Sequence, residues 1–169
     1  SRDLATLACK RFHAKRNHIS KFYRTYTDTR FETLSDSNIP DALTVAKLWC
    51  AENDTDPEAS SEIMAIREMS DLKDEYNVKG AVLYVDSKPV AMTLGSEISP
   101  KVYDINFEKA LREYDGVYAV INNEFAKTLT QYEYINREED MGLEGLKKSK
   151  LSYNPVIILD RWNAIPKKR

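Results

Sequence analysis

Apolar residues recur at three- and four-residue steps over several stretches of the chain and alternate over others. Leu4, Leu7, Ala8 and Phe12 share one helical face and predict a single helix from Leu4 to Phe22. Ile39, Leu43 and Ala46, with Trp49 or Cys50, predict a helix over Asn38 to Glu52. The Asp36-Ser37-Asn38 cluster supplies its candidate caps, and Pro40 suits its first turn. Ile63, Ile66, Met69 and Leu72 place a second helix at Glu58 to Tyr76. Val117, Val120, Ile121, Phe125 and Leu129 mark a third, Val117 to Leu129, and a shorter one follows at Leu143 to Lys150.

Between the helices the pattern shifts toward strands. Gly80 to Val85 and Pro89 to Gly95 flank the polar Asp86-Ser87-Lys88 and predict an antiparallel hairpin. Further strands are expected at Phe31 to Leu34, Val102 to Phe107, Tyr132 to Ile135 and Val156 to Leu159, the last introduced by Pro155. After the opening helix the order is β-α-α-β-β-β-α-β-α-β. That is an α/β (α+β) chain with one mixed, mainly antiparallel sheet flanked by helices. No repeat or internal linker divides residues 1–169, so one domain is expected. The opening helix has almost no lead-in, which suggests a piece of something longer. Lys167-Lys168-Arg169 reads as a frayed tail.

Composition adds bounds. Hydrophobic residues make up 42% and charged residues 31% of the 169, the balance of a soluble globular domain. No apolar run approaches the ~20 residues that span a bilayer, and no signal-peptide core is present. Cys9 and Cys50 lie far apart, which fits a reduced, cytoplasmic setting. The net charge of −2 conceals an asymmetry. Residues 1–30 carry eight lysines and arginines against Asp3 and Asp28, whereas residues 31–75 carry twelve acids against Lys47, Arg67 and Lys73. The basic arm either steers an anionic partner or docks within the protein, on the acidic half or on a neighbouring domain.

Candidate chemistry concentrates between Tyr132 and Pro155. The polar run Asn136-Arg137-Glu138-Glu139-Asp140 falls between a strand and a helix, where open α/β sheets gather ligand groups. Arg137 has the planar fork that grips a carboxylate or phosphate, and an adjoining acid can orient it or bind an ammonium group. The alternative is a solvated turn whose acids favour the next helix N-terminus. His13 and His18 are poorly spaced for one helical face, so no metal site is expected. No P-loop or nucleophile elbow appears.

Lys15-Arg16-Asn17-His18-Ile19, Phe107 to Ala110, Gly116 to Ala126 and Tyr134 to Pro155 together resemble the family of the C-terminal domain of phosphatidylglycerol lysyltransferase. The element order likewise resembles the Gcn5-related N-acetyltransferase fold. The resemblance implies tandem acetyltransferase-like domains, of which this chain is the second, with the preceding domain as its partner. It also implies aminoacyl transfer from a donor such as aminoacyl-tRNA to an amine or hydroxyl acceptor. In that reading Glu108 is the general base and Tyr153 the acid. Asn122, Asn136, Arg137, Glu138, Asp140 and Lys150 contact substrate, while Lys10, Arg11, Lys15, Arg16 and Lys21 meet tRNA phosphates. Acyl-CoA is disfavoured by the loop from Arg112 to Gly116, because Asp115 as helix cap would compete with pyrophosphate for the same N–H groups. A rival reading makes the domain a non-catalytic, small-ligand-binding or structural half of the tandem.

Overall fold

A computed structural model describes residues 1–53, 55–57, 60–160, 162 and 165. They form two compact units, Ser1–Glu138 and Glu139–Arg169.

The first unit is built on a five-stranded sheet in the order β1-β2-β3-β4-β5: Thr29–Thr33, Lys79–Val85, Lys88–Ser99, Val102–Ala110 and Tyr134–Asn136. The first three pairings are antiparallel, and β5 runs parallel to β4. Asp86 and Ser87 both take positive φ, 48° and 63°, which closes the β2–β3 hairpin in two residues with the twist that favours such turns.

Alternation along β2 and β3 assigns each face a helical layer. Ala81, Leu83, Val85 and Ala91 pack with Val120, Ile121 and Phe125 of α5 (Val117–Thr128) and with Phe22 of α2 (His13–Thr25). Val82, Tyr84, Met92 and Leu94 pack instead with Val45 and Ala46 of α3 (Ile39–Glu52) and Ile66 of α4 (Ser61–Asp71). The register slips between Leu94 and Gly95: Leu94 faces Phe107 and Gly95 faces Ile105, so Asn106 is an extra residue in β4. Gly95 is required there, since a Cβ would lie 2.1 Å from the carbonyl oxygen of Asp104.

Three expectations need correction. The opening helix is broken: α1 (Arg2–Thr6) ends at Leu7 in a left-handed conformation, and a short 3-10 turn, Lys10–Phe12, precedes α2. Arg16 stabilises the break by donating to the carbonyls of Leu7 and Cys9. Asp115 does not cap α5; the cap position is Gly116 (φ 84°), and the Asp115 carboxylate pairs with Lys21 at 2.6 Å. The Val156–Leu159 strand does not form among the described residues. Those four side chains are 54 to 81% exposed, because β-prone residues make a strand only beside a partner ladder. The expected tail Lys167–Arg169 lies outside the described residues.

The second unit begins with a turn in which Asp140 accepts from the Gly142 N–H at 3.0 Å, followed by α6 (Glu144–Leu151). No helix among the described residues is long and apolar enough to cross a membrane.

Candidate active site

The parallel β4–β5 pairing lasts three residues, from Val102 beside Tyr134 to Asp104 beside Asn136. β5 then ends, and Arg137 turns its side chain back to β4. Its Nη2 donates to Glu108 Oε1 at 2.8 Å, while Asn122 Nδ2 of α5 donates to Glu108 Oε2 at 2.9 Å. The pair is withdrawn from solvent, with 18% of the Arg137 side chain and 8% of the Glu108 side chain exposed. The β-bulge produces this arrangement. The extra residue shifts the phase of β4, so that Glu108 faces α5 while Phe107 faces α3 and α4.

Two further groups converge on the cluster. Thr93 sits directly opposite Glu108 on β3 and is fully buried, and its hydroxyl makes no hydrogen bond among the described residues. Lys15 of α2 feels the charges of Arg137 and Glu108. Burial is the main force on its ammonium group, and the Arg137 charge adds to it; Glu108 opposes them, and the pKa settles at about 8. A lysine held there is mainly protonated at neutral pH, with a minor neutral fraction that can take up a proton.

The remaining expected residues are distributed otherwise. Lys109, next to Glu108, points to the opposite face, where it pairs with Glu62 at 2.8 Å and lies 3.6 Å from the Trp49 ring centroid. Trp49 donates to the Tyr118 hydroxyl at 3.0 Å, and burial raises the Tyr118 pKa. Glu138 takes positive φ, and its carboxylate accepts a long 3.5 Å contact from Asn106. Asn136 belongs to the short β5 ladder. Asp140, Lys150 and Tyr153 belong to the second unit, outside the body that carries Glu108 and Arg137.

The basic arm is mostly employed within the chain. Arg11 pairs with Asp3, Arg16 caps the α1 break, Lys21 holds Asp115, and Lys15 joins the cluster; Lys10 is exposed. The arm therefore docks on the chain's own α5 rather than on its acidic stretch. Both asparagines of α5 have structural partners, since Asn123 Nδ2 donates to the carbonyls of Leu4 at 2.7 Å and Ala5 at 2.9 Å. Sequence reasoning assigned Lys15 to phosphate contacts and passed over Thr93. Only the β3–β4 register reveals Thr93, and only the packing of α2 on α5 reveals Lys15.

The loop before α5 is tied to the chain around it. Arg112 is engaged with Asn53, and its backbone N–H donates to Glu52 at 3.2 Å. A Cβ on Gly116 would lie 2.8 Å from the His18 carbonyl oxygen, so α2 closes over the helix start. The Asp115 carboxylate pairs with Lys21, whose hydrogen bond is the main cause that lowers its pKa, and the Gly116 N–H adds a smaller contribution.

The sequence matches the family described as phosphatidylglycerol lysyltransferase, C-terminal, over residues 1–165. A conserved protein of unknown function from Bacteroides thetaiotaomicron has a similar solved structure. It is 41% identical with a TM-score of 0.85, over 93% of this chain and 54% of that one. An uncharacterized protein of Mycoplasmoides gallisepticum, MYCGA3080, is 22% identical over 96% of this chain and 53% of its own length. The chain thus spans about half the length of these relatives. An aminoglycoside acetyltransferase from an uncultured soil sample, in complex with sisomicin, is 13% identical with a TM-score of 0.60 over 87% of this chain and 99% of that one. At that identity the likeness shows the acetyltransferase fold alone.

Proposed function

The chain belongs to the phosphatidylglycerol lysyltransferase C-terminal family, and on that premise we propose that it is an acyltransferase domain moving an aminoacyl group from an activated donor, such as aminoacyl-tRNA, to an amine or hydroxyl acceptor. The observation that carries this reading is the Glu108–Arg137–Asn122 cluster, joined by Lys15, where β5 parts from β4. Both Glu108 oxygens already accept hydrogen bonds. Glu108 therefore fixes the Arg137 fork, and Lys15 takes the role of base. The acceptor N–H or O–H loses its proton as it attacks the ester carbonyl. The carbonyl–ribose C–O bond then breaks, and the proton ends on the ribose oxygen. Lys10 and the outer edge of Arg11 supply the tRNA phosphate contacts.

A non-catalytic reading draws on one observation, that Glu108 and Arg137 satisfy each other with little exposure. In either case a preceding acetyltransferase-like domain is the proposed partner, and the exposed Val156–Leu159 run offers it an apolar, β-prone edge.

The test is transfer of a labelled aminoacyl group by the full-length protein from charged tRNA to amine acceptors, with acyl-CoA as a parallel donor. Transfer from tRNA that is lost in Arg137→Lys and weakens steeply with salt supports the reading. Transfer indifferent to Arg137→Lys overturns the site assignment. Activity with acyl-CoA alone overturns the donor, and binding without turnover favours the non-catalytic half.

A further inference from the structure

The stretch of β4 beyond its pairing with β5 holds a tyrosine hydroxyl as well as the Glu108 cluster. Leu111 donates its N–H to the Val90 carbonyl of β3 at 3.0 Å. Successive residues of a strand present their N–H groups to opposite edges, so the Ala110 N–H faces away from β3. The β4–β5 ladder has ended at Asp104 by then, and the Ala110 backbone bonds instead to the hydroxyl of Tyr118 on α5. Tyr118 precedes Asn122 by four residues, which puts both on one face of α5 about one turn apart. Asn122 meets Glu108 at 2.9 Å, and Tyr118 meets Ala110, two residues further along the same strand.

Two donors orient the tyrosine oxygen. Trp49 Nε1 of α3 donates to it at 3.0 Å, and the Ala110 N–H donates from the strand. Both contacts favour the phenolate, which identifies the oxygen as the acceptor in each. A phenol accepts through its oxygen and has one proton to give. With two donors already on the oxygen, the O–H takes the remaining direction, and no acceptor among the described residues meets it. Burial is the largest influence on the group and raises its pKa; the Glu108 charge adds to this, so the proton stays on the oxygen at neutral pH. The residue is 39% exposed, which leaves it open to a ligand. Tyr153, the acid implied by the resemblance, belongs to the other unit, whereas Tyr118 shares one body with Glu108 and Arg137.

We propose that Tyr118 is the proton donor to the leaving group, with Trp49 as the residue that positions its hydroxyl. The inference rests on the acyl-transfer reading above and adds a residue to it. Lys15 takes the proton of the attacking acceptor N–H or O–H. As the carbonyl–ribose C–O bond breaks, its electron pair goes to the ribose oxygen, which takes the Tyr118 proton. An alkoxide is a stronger base than a phenolate, so the transfer runs downhill. The Lys15 ammonium then returns a proton to the phenolate through solvent, and both groups regain their starting state.

The test compares two donors of the same aminoacyl group in the full-length protein: charged tRNA, whose ribose oxygen needs a proton to leave, and the 4-nitrophenyl ester, whose nitrophenolate leaves without one. Tyr118→Phe should lower kcat on charged tRNA by about 100-fold or more with KM unchanged, and should leave transfer from the nitrophenyl ester within about threefold of the parent. Transfer from that ester also shows that the variant is folded. Trp49→Phe keeps the phenol and removes one hydrogen bond to it, so it should lower kcat on charged tRNA by roughly three- to tenfold and again spare the nitrophenyl ester. It serves as the test should Tyr118→Phe not fold. Equal losses on both esters mean that Tyr118 only ties α5 to β4 and α3, and they overturn the proposal, as does full activity of Tyr118→Phe on charged tRNA. A parent that transfers from neither ester overturns the acyl-transfer reading itself, and the role of Tyr118 with it.

Discussion

Glu108→Gln tests whether the buried pair holds the site together. The replacement keeps shape and removes charge. Two donors, Arg137 Nη2 at 2.8 Å and Asn122 Nδ2 at 2.9 Å, converge on the two oxygens of Glu108. Glutamine offers one acceptor and one donor, so one of the two incoming N–H groups meets another N–H. The guanidinium also loses the Glu108 carboxylate in a position where only 18% of its side chain reaches solvent. Losing a hydrogen bond to a charged group costs about 1.5–3 kcal/mol, and breaking a buried pair costs about 3–5 kcal/mol. We expect about 3 kcal/mol, a large share of the ~5–15 kcal/mol that keeps a domain folded. For a chain of this size that lowers the melting temperature by roughly 6–12 °C. Urea denaturation at pH 7 gives the free energy directly. The double variant Glu108→Gln/Arg137→Met should recover part of the loss, because it removes the buried cation together with its anion. A single-variant cost below about 1 kcal/mol, the range of exposed ion pairs, would refute the burial argument.

Two further outcomes follow from the same geometry. The Lys15 pKa is about 8 in the fold against 10.5 for the free side chain, so between these values the unfolded chain binds more protons. Stability should therefore rise from pH 8 to 10.5, and the full penalty of the buried charge is present below pH 8. Lys15→Met should raise the melting temperature at pH 7 and flatten that rise; thermal scans across pH that stay parallel to the parent would contradict it. Gly95→Ala places a methyl group 2.1 Å from the Asp104 carbonyl oxygen and should cost about 3 kcal/mol by opening the bulge, read by denaturant titration. An alanine variant as stable as the parent would show that the bulge yields without cost.

The sequence by itself determined the sheet and most of its helices. The period-two runs at Gly80–Val85 and Pro89–Gly95 and the three-four steps of α3, α4 and α5 are local patterns, and burial of one face enforces them. It also located Glu108, Arg137 and Asn122 as residues of interest, the first two through the strand ends that the pattern predicts. It failed where the outcome depends on a distant partner. The opening helix breaks because Arg16 and Leu7 settle a local competition that periodicity does not register. Val156–Leu159 has the residues of a strand and, among the described residues, no ladder to join. Tertiary structure alone decided which groups meet. The bulge at Asn106 turns Glu108 toward α5, the β3–β4 register sets Thr93 against it, and the docking of α2 brings Lys15 to Arg137. A side chain's chemistry is written in the sequence. Its charge state and its partners depend on burial and distance, which exist only once the chain has packed.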